Sequence, residues 1–266
     1  MSSDTGPDLG HPLPLTGERT LPDVPDERYW FERHVVAYEL AAELLAGLRP
    51  AWPGPLRALD AGCGEGYGLP RLRRAGADRV LGVDLDATTA AHARRRYATD
   101  DDHLEVMVAE LGHLPLPDDE VAICVSLQVI EHLHDIAGYL RELGRVTAGG
   151  GRLVLSTPNR LTFTPNSPTP LNPFHTREFT AQELRAELTA AGLQVRWLGG
   201  VHHGARLLAE QDALGIDLLT VLTTTAAEDW PDPVRRLVHR VSWRWFELRA
   251  DDLDTSLDLI AVCEVP

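Results

Sequence analysis

The sequence predicts an α/β fold: a doubly wound, mostly parallel sheet of seven strands, with helices on both faces and insertions that cap one end. Three observations carry this reading. From Leu56 onward, short apolar runs alternate with helical segments. A glycine-rich turn, "LDAGCGEGYG", follows the first run directly, and the second run ends in the acidic "VDLD". Alternation of this kind means βαβ units wound about one sheet, and a glycine turn after the first strand marks where such sheets hold ligands.

The elements follow in order. Residues 1 to about 25 are rich in Pro, Gly and Asp and read as a flexible N-terminal arm, leaving 26–266 as a single domain. Helical periodicity begins near Arg28 and runs through "YWFERHVVAYELAAELLAGL", where Pro50 and Pro53 stop it. "LRALDA" is the first strand, and Tyr67 to Ala75 the next helix. "RVLGVDL" and "ATTAAHARRRYA" are the second strand and helix, "LEVMVAE" and "VAICVSL" strands three and four, and "DIAGYLRELGRVT" a further helix. After a "GGG" turn at 149–151, "RLVLST" is strand five, and strand six is "LQVRWLG". The final strand is "LDLIAVCE". The alternating core covers about 56–160. Two segments break the rhythm: 158–178, with five prolines, and 199–256, both read as lids or caps over an acceptor.

Composition excludes several classes. With 44% hydrophobic residues in 266, the chain can build a sizeable core. Its best apolar run, "VAICVSLQVI", contains Ser126 and Gln128 and is too short and polar to span a membrane. The N-terminus has neither the basic nor the apolar region of a signal peptide. The three cysteines sit in apolar segments in an odd number, which argues against a disulfide framework, so a cytoplasmic location is expected. A net charge of −15 disfavours nucleic acid as a partner. All 25 basic residues are arginine, so lysine-based phosphate loops and Schiff-base chemistry are absent.

The glycine turn is specific in its spacing. Dinucleotide enzymes place G-x-G-x-x-G here, but the third position is Tyr67 and that fingerprint fails. The pattern is D-x-G-x-G-x-G, with Asp60 two residues ahead of Gly62. Asp84 lies 22 residues after Gly62 at the end of strand two, where a carboxylate can accept both hydroxyls of a ribose. These residues, with "AELGHLPLPDDEVAICVSLQVIEHL" and "GGRLVLSTPN", resemble the Rossmann-like S-adenosylmethionine-dependent methyltransferases. The resemblance implies S-adenosyl-L-methionine as cofactor and an antiparallel last strand. It implies that Gly62, Gly64 and Gly66 face the methionyl and ribose parts, that Asp84 takes the ribose and Glu110 the adenine amino group. Leu127 and Gln128 would line the methionine pocket, with Asp60, Leu85 and Leu111 completing the set. Glu110 departs from the Asp commoner at its position. Outside the core, "LTGERTLPD", "YWFERH", "TPNRLTFTP", "NPFHTREFT" and "DTSLDLIAV" resemble an actinobacterial subfamily of sugar O-methyltransferases, associated with the mycofactocin oligosaccharide and methylated glucose polysaccharides.

A sugar hydroxyl is a weak nucleophile at neutral pH, so a general base is expected. His132, just past strand four, and His175, on the loop after strand five, are the catalytic candidates, with His202 and His203 behind them. Glu131 beside His132 is a potential metal ligand, but no compact Asp/Glu/His set is legible, so no metal is expected. The proline-rich loop offers Asn159, Arg160, Asn166, Asn172 and Arg177 for hydrogen bonding, with Phe163 and Phe174 as apolar faces for a sugar ring. Tyr29, Trp30 and Phe31 read as packing residues of the N-terminal helix, and Trp243, Trp245 and Phe246 with their interleaved arginines as a helix with a solvated face. Arg94 to Arg96 close a helix, where cations suit its dipole. A small phenolic or quinone-type acceptor, and a non-catalytic cofactor-binding protein, are the alternatives.

Overall fold

The structure, a computed structural model, describes Leu13, residues 19–167 and residues 169–266. Its sheet has eight strands: β1 (Arg57–Ala61), β2 (Arg79–Asp84), β3 (Leu104–Val108), β4 (Val121–Leu127), β5 (Thr147–Pro158), β6 (Gln194–His203), β7 (Phe246–Arg249) and β8 (Asp258–Glu264). They lie in the order β3-β2-β1-β4-β5-β8-β6-β7. The first five run parallel. β8 runs antiparallel to both β5 and β6. The chain order therefore reverses between β1 and β4, where loops at the strand ends part and leave a crevice.

The α/β architecture is as expected, with one strand more. The Trp/Arg alternation predicts a helix in the cap where β7 lies; this strand pairs instead with the end of β6, from Gly200↔Arg249 to His203↔Phe246. Four residues are too few for a period-two pattern to stand out, and the Trp/Arg alternation before it is a single 3-10 turn, Trp243–Trp245. Trp245 and Phe246 are buried, with the Arg206 guanidinium 3.9 Å above the Trp245 ring. The glycines at 149–151 do not precede β5; they lie inside it.

Helix α1 (Arg28–Leu48) packs Tyr29, Val36, Ala41 and Leu45 against one face of the sheet, beside α2 (Leu69–Arg74). Helices α4 (Ile136–Val146) and α6 (Ala181–Ala190) cover the other with Tyr139, Leu140, Leu143, Leu184 and Leu188. Each of those buried leucines contributes roughly 1.5–3 kcal/mol. α3 (Ala87–Ala93) is capped by the Asp86 side chain and runs into a π turn, Arg94–Ala98, whose Arg94 donates to the Val106 carbonyl of β3 at 2.6 Å. Between α4 and α6 lies a short α5 (Arg160–Phe163); the cap holds α7 (Ala205–Leu214), α8 (Leu218–Thr224) and α9 (Asp232–Val238).

The packed chain begins before residue 26. Of the predicted arm, 1–12 and 14–18 lie outside the described residues, but Leu21 is buried and Thr20 reaches toward His34. The cap is stapled to α1: Arg28 Nε donates to Val241 O at 2.9 Å, and Glu32 accepts from Trp243 N at 2.9 Å. Among the described residues no helix is long and apolar enough to cross a membrane.

Candidate active site

After β1 the backbone turns sharply, and the amides of Gly62 and Cys63 both donate to Val83 O, at 2.8 and 2.9 Å. This fastens the turn to the end of β2. Gly64 follows with φ +53°, and a β-carbon there would meet nothing within 4 Å. Its amide donates to Asp84 Oδ2 at 2.9 Å, while Asp84 Oδ1 accepts from Asp86 N at 2.9 Å. The glycine turn and the acidic strand end are thus joined by one carboxylate. Gly66 differs: its β-carbon would stand 2.8 Å from Ala93 Cβ, so this glycine lets α3 approach the turn. Asp60 lies beneath, fully buried and accepting from Tyr38 OH at 3.0 Å, with burial pushing its carboxyl up to about 7.

A cavity of about 850 Å³ opens above the glycine turn, within the roughly 300–1,000 Å³ range of small-molecule sites. Eight of the expected residues stand on its wall: Gly62, Gly64, Asp84 and Leu85 on one side, Glu110, Leu111, Leu127 and Gln128 on the other. Asp60 and Gly66 do not; they support the wall from behind. A second cavity of about 410 Å³ adjoins it, and both are lined by Arg19, Thr20, His34, Gln128 and His132. The remaining walls of the second chamber come from distant segments: Trp30 and Arg33 of α1, Glu131 after β4, Phe163, Asn172, His175 and Glu178 of the proline-rich loop.

Gln128 sits at the junction in a left-handed conformation, φ +57°, which costs a non-glycine residue about 1 kcal/mol. Surrounding bonds hold it: its amide donates to Ser156 O at 2.9 Å, and Nε2 donates to Ser156 Oγ and Asp258 Oδ1 at 3.0 and 3.3 Å. Asp258 pairs with Arg33 at 3.2 Å, both nearly fully buried. The Arg33 guanidinium lies 4.9 Å from the centroids of both Trp30 and Phe163. Desolvation, with Arg33 alongside, lowers the His34 imidazole well below its usual range.

The loop after α5 is tied to the residue that follows β4. Thr176 N donates to Glu131 O at 2.7 Å, and Thr176 Oγ1 to the same carbonyl at 3.0 Å. This brings His175 to His132, their rings edge to face at 5.0 Å. His132 Nδ1–H donates to Phe174 O at 3.0 Å, and His175 Nδ1–H to Glu178 Oε1 at 2.7 Å. A carbonyl can only accept, so the lone pair of neutral His132 is on Nε2. Glu131 is buried, with Oε2 accepting from Thr157 Oγ1 at 3.0 Å; desolvation pushes its carboxyl up to about 8. Sequence showed no compact ligand set, yet the fold gathers Glu131, His132 and His175 with ligand atoms all within 4.8 Å of one another.

Comparison with known proteins fixes the family. A methyltransferase domain family matches residues 59–155. A probable S-adenosylmethionine-dependent methyltransferase of Mycolicibacterium smegmatis (strain ATCC 700084 / mc(2)155) is 44% identical over 260 residues, 96% of each chain. Another, from Mycobacterium tuberculosis (strain ATCC 25618 / H37Rv), is 43% identical over 96% of this chain and 90% of its own. The chain belongs to the S-adenosylmethionine-dependent methyltransferases. A solved methyltransferase of this kind from Mesorhizobium loti shares the fold, with a TM-score of 0.54 at 22% identity over 85% of this chain and 99% of that one.

Not every expected residue of the methyltransferase reaches a chamber. Asn159 is buried, donating to the backbone of Leu253 and Ser256 at 2.8 and 3.0 Å, so it anchors the loop. Arg160 and Arg177 pair with Glu183 and Glu187. Asn166 lines neither chamber, and Phe174 lines the larger one. His202 and His203 lie in β6, away from both; Tyr29 OH is 2.7 Å from His203 Nε2, and burial lowers that imidazole to about 4. Tyr29 and Phe31 pack as expected, whereas Trp30 lines the second cavity. Sequence reasoning missed Arg33 and His34. The signal was there: Trp30, Arg33 and His34 fall at i, i+3 and i+4 of α1, one face of a helix.

Proposed function

We propose that this methyltransferase transfers a methyl group to a hydroxyl of a glucose-containing oligosaccharide or glycoside. The observation that carries the reading is the second chamber, joined to the first at His132 and Gln128. Glu131, Glu178, Asn172 and His175 line it with groups that exchange hydrogen bonds with hydroxyls, and Trp30 and Phe163 add apolar ring faces. A flat phenol or quinone would leave the unpartnered oxygens Glu131 Oε1 and Glu178 Oε2 facing apolar surface, at a cost of roughly 1–3 kcal/mol each. Asp84 is suited to the ribose hydroxyls and Glu110, beyond β3, to the adenine amino group.

When bound, S-adenosylmethionine supplies a methyl group on a sulfonium: the acceptor oxygen bonds to the methyl carbon as the carbon–sulfur bond breaks and sulfur keeps the electron pair. The protein's part is to align the two chambers, shield them from water and take the hydroxyl proton. His132 is oriented by Phe174 O and His175 by Glu178, so each imidazole is held for that role. Replacing His132 or His175 by Ala should keep cofactor affinity within about threefold, and at least one should lose ~10²-fold or more in turnover. A panel of acceptors with labelled methyl donor decides the class. Methylation of glucosides with phenols untouched supports the reading; the reverse overturns it.

A further inference from the structure

Two imidazoles and a carboxylate converge in the second chamber, and the outer partners that would orient a base are equally those of a metal centre. His132 and His175 each have Nδ1 fixed by an acceptor, Phe174 O at 3.0 Å and Glu178 Oε1 at 2.7 Å. Imidazoles that bind metals are oriented in this way, by a carbonyl or carboxylate on the other ring nitrogen, which leaves Nε2 as the donor atom. The carboxylate meets the same description. Glu131 Oε2 accepts from Thr157, while the buried Oε1 has no hydrogen-bond partner among the described residues. Glu178 Oε2, also buried, has none either.

We infer that Glu131, His132 and His175 form a binding site for a divalent first-row transition cation of the manganese, cobalt or zinc class. Ligand atoms within 4.8 Å of one another share a centre no more than about 2.8 Å from each, so bonds of about 2.1 Å need shifts of under an ångström. Two imidazoles favour such cations over magnesium or calcium, which take oxygen ligands. Asn172 Nδ2 now donates to His175 Nε2 at 3.0 Å, and that hydrogen bond is exchanged for the metal bond. All three residues line the second chamber, so a cation they hold is within reach of an acceptor there. With the cation bound, a hydroxyl coordinated there is acidified, as metal-bound water is, and gives its proton to solvent before methyl transfer rather than to an imidazole. The imidazoles then serve as ligands, and the alkoxide attacks the methyl carbon while sulfur keeps the electron pair of the breaking bond. This chemical role rests on the O-methyl-transfer reading; the binding itself does not.

The test titrates the chelator-treated full chain with cobalt(II), and separately manganese(II), without acceptor, by calorimetry and visible absorption. One cation per chain is expected, with visible bands from imidazole and carboxylate ligation. Glu131→Gln and His175→Ala should each weaken binding at least 100-fold, and Glu178→Gln, which loosens only the outer partner, 10- to 100-fold. S-adenosylmethionine affinity near wild type confirms that each variant is folded. Should Glu131→Gln fail to fold, anomalous scattering from cobalt in wild-type crystals decides, with a peak bonded to all three residues expected. Absence of binding at millimolar cobalt, or affinity unchanged in the variants, overturns the site. A chain that binds cobalt but methylates no glucoside overturns the sugar reading and leaves the cation site standing.

Discussion

The two chambers share a wall at His132 and Gln128 but are built in opposite ways. The larger, the donor chamber of the proposed function, is made of main-chain turns and strand ends that follow one another along the sequence: Gly62 and Gly64 after β1, Asp84 at the end of β2, Glu110 after β3, Leu127 at the end of β4. The smaller, the acceptor chamber of the proposed function, is made of side chains from α1, the proline-rich loop and α8, brought together across most of the chain. A parallel sheet delivers its strand ends to one edge whatever the side chains are, so the donor chamber comes with the fold. The second chamber has to be assembled from pairs such as Arg33–Asp258, and on the proposed function it is there that specificity varies without touching the cofactor.

Substitutions should separate the chambers. The largest effect is expected for Gly64→Val, which points a branched side chain into the donor chamber and forces it to adopt φ +53°. Cofactor affinity should fall by about 10³-fold, with a stability cost of roughly 1–2 kcal/mol. Tight calorimetric binding by this variant would mean that no ligand approaches the turn. Asp84→Ala should cost about 1–3 kcal/mol in cofactor binding through lost charge-assisted hydrogen bonds. Unchanged affinity would remove Asp84 from the site. On the acceptor side, Trp30→Ala should raise the acceptor KM about tenfold and leave cofactor affinity alone, since the ring stacks on Arg33 in the second chamber only. A matching loss of cofactor affinity would break the division between chambers.

The smallest effect concerns pH. His203 is held neutral by burial, with its pKa lowered from 6.5 to about 4. Its contribution to stability is therefore complete above pH 6.5 and declines as the pH falls toward about 4, because the unfolded chain takes up the proton first. Between pH 7.5 and 6 the loss should be about 1 kcal/mol or less. Urea unfolding of His203→Gln should show a flatter pH dependence in that window. An equal slope in both proteins would show that another group governs it.

The wall of the larger cavity was legible in sequence because its signals are local. D-x-G-x-G-x-G and the acidic strand end lie within 25 residues, and eight of the ten expected residues line the cavity. Asp60 and Gly66 fall in the same motif but serve it from behind, and spacing alone does not distinguish a glycine that faces a ligand from one that admits a helix. The wall of the second cavity was legible in part. His175 and Asn172 reach the chamber, yet Asn159, Arg160 and Arg177 are used in anchoring the loop and pairing with α6. Whether a polar loop residue faces inward depends on partners such as Glu183, Glu187 and Ser256, and these are chosen by tertiary packing. β7 was missed because four residues give no period to read.

The position of β8 bears on how the molecule is made. This strand, the last in sequence, is laid between β5 and β6, so the β6–β7 pair has no hydrogen-bonded neighbour in the rest of the sheet until it arrives. Local pairings among β1 to β5 are available from residues 57–158, but closure of the sheet waits for residues 258–264 to find a gap between strands begun about 60 and 110 positions earlier. Until then two apolar edges stand open, and a chain delayed at that point is exposed to association with its neighbours. On a ribosome, the donor half can therefore take shape well before the sheet that supports the acceptor half is joined.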